Sequence, residues 1–373
     1  MIIGIDANEG NVEKKVGITE YVFELLLELQ KLSNASRAFQ IYLKDDPGTA
    51  FPEKKEGWKY NVFGPTKFWT QFALPFKLFI QKNKPDVFFS PAHYAPRFSP
   101  VPTVVSIMDL AFFHFPQLFT KSDLYQLHSW TKYSVTNASR VITISQATKN
   151  DIIKLYNIPA ERIAVIYPGI KEHSLVEATS MKEIQQKYDI SANFILFIGT
   201  LQPRKNITRA IEAFSLLKKS TKSDLQFVII GKKGWKFEDI LTAPEKYGVE
   251  DDVKFLDFVP DSDLPAFYKN AQLFVFPSLY EGFGLPVLEA MKFGCPVLTS
   301  NVSSLPEAGG DGAHYVDPND TQAIADGIKK IIEDTSYRKA LIVKGHEQVK
   351  KFSWEKAATE TLAILEQVGS KKS

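Results

Sequence analysis

The sequence predicts an α/β protein built from two doubly wound domains, and three observations support that prediction. At 373 residues the chain is too long for one typical hydrophobic core. Short runs rich in Val, Ile and Phe alternate with longer helical patterns, as a parallel sheet buried beneath helices requires. The series of runs stops at a charged segment near 171–190 and then restarts. We therefore expect domains at 1–172 and 173–352.

Apolar runs predict the strands of both sheets. Those of the first domain are 1–7, 40–43, 86–91, 103–110, 140–145 and 162–169. Those of the second domain are 194–200, 225–231, 253–259, 273–278 and 296–301. Their apolar residues are not confined to alternate positions, which is typical of strands covered by helices on both faces of a sheet.

Helices are predicted where apolar residues recur at helical spacing, as over 18–32 and 321–334. Asp320 directly precedes the second of these and is a suitable N-cap. A last helix is predicted over 353–367, with Ser353 at its N-cap.

Composition and charge argue against several classes of protein. Lys and Arg number 45 and Asp and Glu 43, so the chain lacks the strong basic field of a nucleic-acid binder. Its single cysteine, Cys295, is compatible with a reducing cytosol. No secretory signal begins the sequence and no apolar stretch reaches the ~18 residues of a membrane-spanning helix. We expect a cytoplasmic protein without a metal site, since no His and Cys cluster has ligand spacing.

The segment EGFGLPVLEA, residues 281–290, carries the strongest signal for a ligand site. It follows the apolar run 273–278, and the helix that it opens has Pro286 in its first turn and Gly294 just past its end. The turn is therefore predicted at the carboxyl edge of the second sheet, where open α/β folds bind ligands.

The residue types of this turn suit a phosphate ester that carries hydroxyl groups. Gly282 and Gly284 allow the backbone to approach a ligand, and the free amides of Gly284 and Leu285 can bind an anion. Glu281 and Glu289 are acceptors for hydroxyl hydrogen bonds. An isolated Glu-x7-Glu pair is usually a loop charge and a solvated helix residue, but the turn and helix around this pair favour a sugar-nucleotide site.

Two adjacent cations mark a second turn at the same predicted edge. Arg204 and Lys205 lie in GTLQPRKNITRAIEAF (199–214), between a predicted strand and an amphipathic helix. Arg as a planar fork and Lys as a point charge suit a diphosphate. The alternative is a pair of surface charges, which is weakened because cations near a helix N-terminus oppose the helix dipole.

Four segments together resemble family 4 of the retaining glycosyltransferases. These are 199–206, 231–235, 253–278 and 279–318, and they match the family in order and spacing. The resemblance implies the GT-B fold, in which two Rossmann-like domains face a central cleft. It is nearest to a bacterial subgroup with many mannosyltransferases of the cell surface.

The resemblance also implies a reaction. It is hexosyl transfer, with retention, from a nucleotide diphosphate sugar to a hydroxyl of a glycan or lipid-linked acceptor. No cofactor or metal is implied. GDP-mannose is the expected donor, followed by UDP-glucose and UDP-N-acetylglucosamine, and the expected work is polysaccharide biosynthesis. Two alternatives remain, namely a non-catalytic sugar-nucleotide-binding protein and another GT-B enzyme such as an epimerase.

The family's motifs imply roles for matching residues. Glu289 would hold the donor ribose and Glu281 the hydroxyls of the hexose, while Arg204 and Lys205 would bind the diphosphate. Thr200 stands where many relatives have an arginine. The predicted donor-binding positions are Gly17, Thr200, Val259, Gly282, Phe283, Gly284, Leu285 and Glu289.

In the first domain, the resemblance implies an acceptor side onto which a C-terminal helix within 353–373 packs back. Gly17, in VEKKVGITEYVFELL (12–26), matches the family's glycine loop, although an ordinary turn glycine would look the same. Asp109 is expected to orient the acceptor or the sugar. Met108 replaces a histidine that many relatives have, and His114 is either its substitute or a packing residue.

The stretch KFWTQFALPFKLFIQKNKP, residues 67–85, has two interpretations. It is either a helix packed on the first sheet or an amphipathic surface that rests on an anionic membrane. The apolar stripe favours packing. The second interpretation would place a cytoplasmic protein at the inner face of a membrane.

Overall fold

The computed structural model describes residues 1–171, 179–221 and 224–371. It divides into two compact units. The first contains Met1–Gly169 and Phe352–Ser373, and the second contains Ile170–Lys351. The predicted boundary between residues 172 and 173 lies outside the described residues.

The first unit has a seven-stranded, fully parallel sheet in the order β3-β2-β1-β4-β5-β6-β7. Its strands are β1 (Ile2–Asp6), β2 (Ala38–Leu43), β3 (Trp58–Val62), β4 (Val87–Ser90), β5 (Thr103–Ile107), β6 (Arg140–Thr143) and β7 (Ile163–Val165). Its helices before the chain leaves the unit are α1 (Ile18–Lys31), α2 (Leu74–Ile80), α3 (Ala111–His114), α4 (Lys121–Asn137) and α5 (Gln146–Tyr156). Short 3-10 turns cover Asn8–Gly10, Pro116–Leu118 and Ala160–Arg162, and a π-helical turn covers Trp69–Ala73.

The second unit has a six-stranded, fully parallel sheet in the order β10-β9-β8-β11-β12-β13. Its strands are β8 (Phe194–Ile198), β9 (Gln226–Ile230), β10 (Val253–Leu256), β11 (Leu273–Phe276), β12 (Val297–Ser300) and β13 (Ala313–Val316). Its helices are α6 (Met181–Tyr188), α7 (Ile207–Ser220), α8 (Glu238–Tyr247), α9 (Leu264–Asn270), α10 (Leu285–Lys292), α11 (Leu305–Gly309), α12 (Thr321–Glu333) and α13 (Thr335–Val349). Two 3-10 turns cover Pro203–Lys205 and Gly310–Gly312.

Every predicted strand is present, and two strands were missed. β3 is an edge strand whose sequence, WKYNV, alternates polar with apolar residues and is only partly buried. β13 is a four-residue edge strand that directly follows the glycine-rich segment 309–312. Both lie at edges, where one side of the strand lacks a neighbour and a continuous apolar run is not required.

The last helix, α14 (Trp354–Gly369), returns to the first unit. Ser353 Oγ accepts from the Lys356 amide at 3.1 Å and so caps it, as predicted. The helix packs along α1, where Trp354 meets the ring of Tyr21 edge-on at 5.6 Å. Glu366 pairs with Arg37 at 2.8 Å.

No helix in the described parts of the chain combines the length and the hydrophobicity needed to cross a bilayer. The stretch 67–85 forms the π-helical turn Trp69–Ala73 followed by α2. One face packs as predicted, because Trp69, Leu74 and Leu78 are buried against Tyr42 and Phe88. The other face is exposed.

Replacing Trp354 with alanine is expected to destabilise the first unit by about 3 to 5 kcal/mol, because it leaves a cavity between α14 and α1. The measurement is the free energy of unfolding from urea titration. Lys356→Ala, at an exposed position of the same helix, is the control. Equal stability of the two variants would show that α14 is not part of the first unit's core.

Candidate functional site

The candidate site of the second unit lies where the winding of its sheet reverses. β8 and β11 are parallel neighbours, yet the chain runs outward from β8 to β9 and β10, and from β11 to β12 and β13. The turns that follow β8 and β11 therefore emerge side by side at the carboxyl edge. Such a switch point is the common ligand site of open α/β sheets.

These two turns bring together three of the predicted residues. Glu281 Oε1 lies 2.7 Å from Lys205 Nζ, and Glu281 Oε2 lies 3.1 Å from Arg204 Nη1. The side chains are almost fully buried. Burial acts to raise the pKa of Glu281, but the Lys205 and Arg204 charges outweigh it and hold the pKa at about 2. The three side chains therefore form an ionised cluster with one net positive charge.

Backbone contacts hold the two turns in register. The amide of Leu279 donates to the carbonyl of Arg204 at 2.9 Å, and Arg204 Nη1 also donates to the carbonyl of Tyr280. Asn206 has a left-handed backbone with φ of 61°. Its side-chain amide donates to the carbonyls of Pro277 at 3.0 Å and Pro318 at 2.7 Å.

Asn206 was missed by the sequence interpretation. An asparagine directly before a predicted helix is a signal for a left-handed turn residue, so its backbone could have been anticipated. Its partners could not, because they lie 71 and 112 residues further along the chain.

The start of α10 is formed as predicted. Gly284 has φ of 115°, and a Cβ added there would lie 2.9 Å from Leu305 Cδ2, so only glycine suits the position. Gly282, Phe283 and Gly284 are all buried, and Leu285 is the first residue of the helix. The first amides of a helix have no partner within it and point outward along its axis.

Two serines that the sequence interpretation missed fix this turn. Ser304 Oγ donates to the carbonyls of Glu281 at 2.8 Å and Phe283 at 2.9 Å. Ser303 Oγ donates to the Glu281 carbonyl at 2.7 Å and lies 3.2 Å from its amide. The run SNVSS, residues 300–304, at the end of the predicted strand 296–301 was the available signal, since polar residues at the ends of parallel strands lie at the same edge.

Glu289 lies on α10, is partly buried and accepts from the hydroxyl of Tyr268 at 3.0 Å. Burial, together with this carboxylate, raises the pKa of the Tyr268 phenol well above its usual value. The phenol therefore stays a neutral donor, and it orients the carboxylate of Glu289.

Of the remaining predicted donor positions in the second unit, Thr200 follows β8 and Val259 follows β10. Thr200 is exposed. A Cβ on Gly231 would lie 1.9 Å from the carbonyl oxygen of Gly199, so glycine lets the turns after β8 and β9 touch. Val259 is buried, but its predicted position within a strand is wrong. β10 ends at Leu256, three residues earlier.

Gly17 and Asp109 belong to the first unit. Gly17 is exposed, has φ of 58° and precedes α1 directly. Asp109 Oδ1 accepts at 2.9 Å from the amide of Ala111, the first residue of α3. His114 Nε2 lies at hydrogen-bond distance, 3.0 Å, from Asp151 Oδ2, so its side chain does more than pack among phenylalanines.

Two further residues of the first unit are related to Asp109: Met108 precedes it in the chain, and the charge of Asp109 acts on His93. Met108 is buried. His93 was not considered at the sequence level, and it has a left-handed backbone with φ of 52°. Burial lowers the pKa of His93, against the opposing charge of Asp109. Its Nδ1 is buried without a hydrogen-bond partner among the described residues.

The described residues contain no group of three or more His, Cys, Asp or Glu side chains placed to hold a metal ion. Cys295 is buried. Its thiol pKa is raised because it is buried.

Family models match both halves of the chain. The model described as Glycosyltransferase Family 4 matches residues 16–173, and the model described as Glycosyl transferases group 1 matches residues 180–348. The O-antigen chain mannosyltransferase B of Escherichia coli is 36% identical over 261 residues, which cover 69% of this chain and 68% of the relative. The serotype-specific mannosyltransferase WbdA of Escherichia coli is 36% identical over 232 residues, 61% of this chain but only 28% of WbdA.

A solved structure shows the same fold over nearly the whole chain. HepE of Anabaena, in complex with UDP and glucose, superposes with a TM-score of 0.73. The match covers 98% of this chain and 100% of HepE at 20% identity.

Replacing Glu281 with glutamine is expected to lower stability at neutral pH and much less at acid pH. The folded-state pKa lies below the usual 4.5, so the carboxylate stabilises the fold above that pH and the stabilisation is lost as pH falls toward 2. The shift corresponds to about 3 kcal/mol. Urea unfolding at pH 7 and pH 3 measures it, with exposed Glu333→Gln as control. A stability difference that does not change with pH would contradict the ion-pair assignment.

Proposed function

This chain belongs to glycosyltransferase family 4 and is a glycosyltransferase with the GT-B fold, and on that premise we propose that it transfers mannose from GDP-mannose to a glycan hydroxyl with retention. The observation that carries the proposal is the buried cluster of Glu281, Arg204 and Lys205 beside the start of α10. Mannose as the sugar is supported by two relatives named as mannosyltransferases, each 36% identical.

The cluster suits the donor's two kinds of polar group. Arg204 and Lys205 exceed the single carboxylate by one charge, and the N-terminus of α10 adds a partial positive charge. We infer that a diphosphate draws the two cations away from Glu281. Glu281 is ionised beside the two cations, and the hexose hydroxyls then replace those cations as hydrogen-bond donors to its carboxylate.

The same arrangement supports a reaction by same-face substitution. The oxygen of the acceptor hydroxyl bonds to the anomeric carbon of mannose while the bond from that carbon to the phosphate oxygen breaks. The departing diphosphate takes the hydroxyl proton, so the products are a mannoside and GDP. Arg204, Lys205 and the first amides of α10 stabilise the charge on the leaving group. This mechanism requires no metal ion or other cofactor.

A donor with a different base and a different sugar is the alternative to GDP-mannose. The HepE structure contains UDP and glucose, so UDP-glucose is the second candidate donor and UDP-N-acetylglucosamine a third. We propose that Glu289 binds the ribose, which both bases share. Thr200, Val259 and Phe283 would line the donor site, and Gly17 and Asp109 would act from the first unit.

We also propose that the reaction takes place at the cytoplasmic face of a membrane that holds a lipid-linked acceptor. The face opposite the packed side of residues 67–85 exposes five large apolar side chains, each 52 to 70% accessible. Lysines accompany them, which suits anionic headgroups. We call this surface the aromatic face; its residues are Phe68, Phe72, Phe76, Phe79, Ile80, Lys67, Lys77, Lys82 and Lys84.

Lys205→Met is expected to reduce the rate of GDP release in the presence of acceptor by about 100-fold or more, because one stabiliser of the leaving group is lost. The measurement compares GDP-mannose, UDP-glucose and UDP-N-acetylglucosamine as donors over a panel of mannoside acceptors. Lys219→Ala, at an exposed lysine of α7, is the control. A fully active Lys205→Met variant would overturn the diphosphate assignment. Donor binding without turnover would favour the non-catalytic alternative.

Replacing Phe72, Phe76 and Phe79 together with serine is expected to abolish flotation with liposomes that contain anionic phosphatidylglycerol. The wild-type chain should float with these liposomes and not with neutral phosphatidylcholine alone. Trp235→Ser, at an exposed tryptophan of the second unit, should float normally. Flotation of the triple variant at the wild-type level would rule out the aromatic face as the contact.

A further inference from the structure

A cavity lies at the switch point of the first sheet. β1 and β4 are parallel neighbours from which the strand order runs outward in opposite directions. The carboxyl ends of these strands, at Asp6 and Ser90, line a cavity of about 220 Å³. Its walls also include Glu9, Tyr94 and Trp130. None of these residues belongs to the Glu281 cluster or matches the predicted donor site.

One side chain of this cavity, Ser90, is buried without a hydrogen-bond partner among the described residues, and a second, Asp6, uses one of its two carboxylate oxygens. Ser90 is 1% exposed, and its Oγ has no hydrogen-bond partner within the described part of the chain. Asp6 Oδ1 accepts from the backbone amide of Asn8 at 3.2 Å and from its side chain at 2.7 Å. No hydrogen bond to Asp6 Oδ2 is formed by the described residues. A buried hydroxyl without a partner has lost its hydrogen bonds to water, and a ligand with hydroxyl groups would replace them.

The charge of the cavity argues against a phosphate ligand. Asp6 and Glu9 face a single cation, Lys44. Burial raises the pKa of Asp6 to about 6, and the nearby charge of Glu9 adds to this against Lys44. An anionic ligand would add to that repulsion. A neutral ligand that donates hydrogen bonds would instead stabilise the Asp6 carboxylate.

Aromatic rings form another part of the cavity wall. Trp130 and Tyr94 meet edge-on with their centroids 5.2 Å apart, and Trp69 forms part of the wall. A sugar ring has apolar C–H faces that bury well against an aromatic ring and equatorial hydroxyls that reach carboxylates and serines. The volume lies below the ~300 to 1,000 Å³ typical of sites for drug-sized ligands and suits one ring.

We propose that this cavity binds one neutral pyranose ring of the acceptor glycan, stacked on Trp130 and hydrogen-bonded to Asp6, Glu9 and Ser90. The assignment to the acceptor rests on the proposed glycosyl transfer. Phe68 and Trp69 line the cavity, and Phe68 is also a member of the aromatic face. A glycan whose lipid anchor lies in the bilayer would thus meet the cavity next to the membrane contact.

The test is calorimetric titration of the full chain with methyl α-D-mannopyranoside and with methyl β-D-glucopyranoside. We expect binding of at least one glycoside, weakened roughly tenfold or more by Trp130→Ala and several-fold by Glu9→Gln, an exposed residue whose change leaves the fold unaffected. Tyr125→Ala is the matched control, since it removes an exposed ring from the same helix.

Kinetics provide the second readout. In the transfer assay both variants should raise KM for a mannoside acceptor while kcat and the KM for GDP-mannose stay at the wild-type level. If the wild-type chain transfers mannose and all variants have the same acceptor KM, the assignment of this cavity to the acceptor is wrong. The proposed function is then retained. Glycoside binding that depends on Trp130 in a chain that does not bind any nucleotide sugar would support the pocket and overturn the proposed function.

Discussion

The buried contact of Glu281 with Lys205 and Arg204 is the interaction on which the second unit's site depends. Three charges removed from water are stable only because they compensate one another, and removal of one partner leaves an uncompensated charge. The pairing therefore fixes the turn after β8 against the turn after β11. Asn206 and the serines at 303 and 304 reinforce it through the backbone of the same turns. These contacts tie the proposed donor site to the edge of the sheet.

The two units share one sheet geometry but have different polar groups at the carboxyl edge of the sheet. In both, the polar groups lie beyond the carboxyl ends of the two strands at which the winding reverses. The second unit places two cations and a helix N-terminus there, which suits a charged diphosphate. The first unit places carboxylates, a serine and aromatic rings there, which suits a neutral sugar. The difference lies in the residues that follow the strands and not in the fold.

The sequence predicts most of the fold because a buried parallel strand requires a continuous apolar run. Two edge strands, β3 and β13, were not predicted, because an edge strand need not form a continuous apolar run and these two do not. Turn position and residue type indicated Glu281, Arg204 and Lys205 as candidate site residues, but not their ion pairing, because 76 residues separate Lys205 from Glu281. The stretch 67–85 was ambiguous for a physical reason. Some of its apolar residues pack against the sheet and others are exposed. The spacing of apolar residues does not distinguish the two sets.

The return of α14 to the first unit has a consequence for the order in which the chain folds on the ribosome. The second unit is continuous, so it can complete its core once its last residues have emerged. The first unit is made earlier but lacks the helix that covers α1 until residues 354–369 are synthesised. The first unit therefore completes its core only after the second unit has been synthesised, and until then the nascent chain lacks the helix that packs along α1.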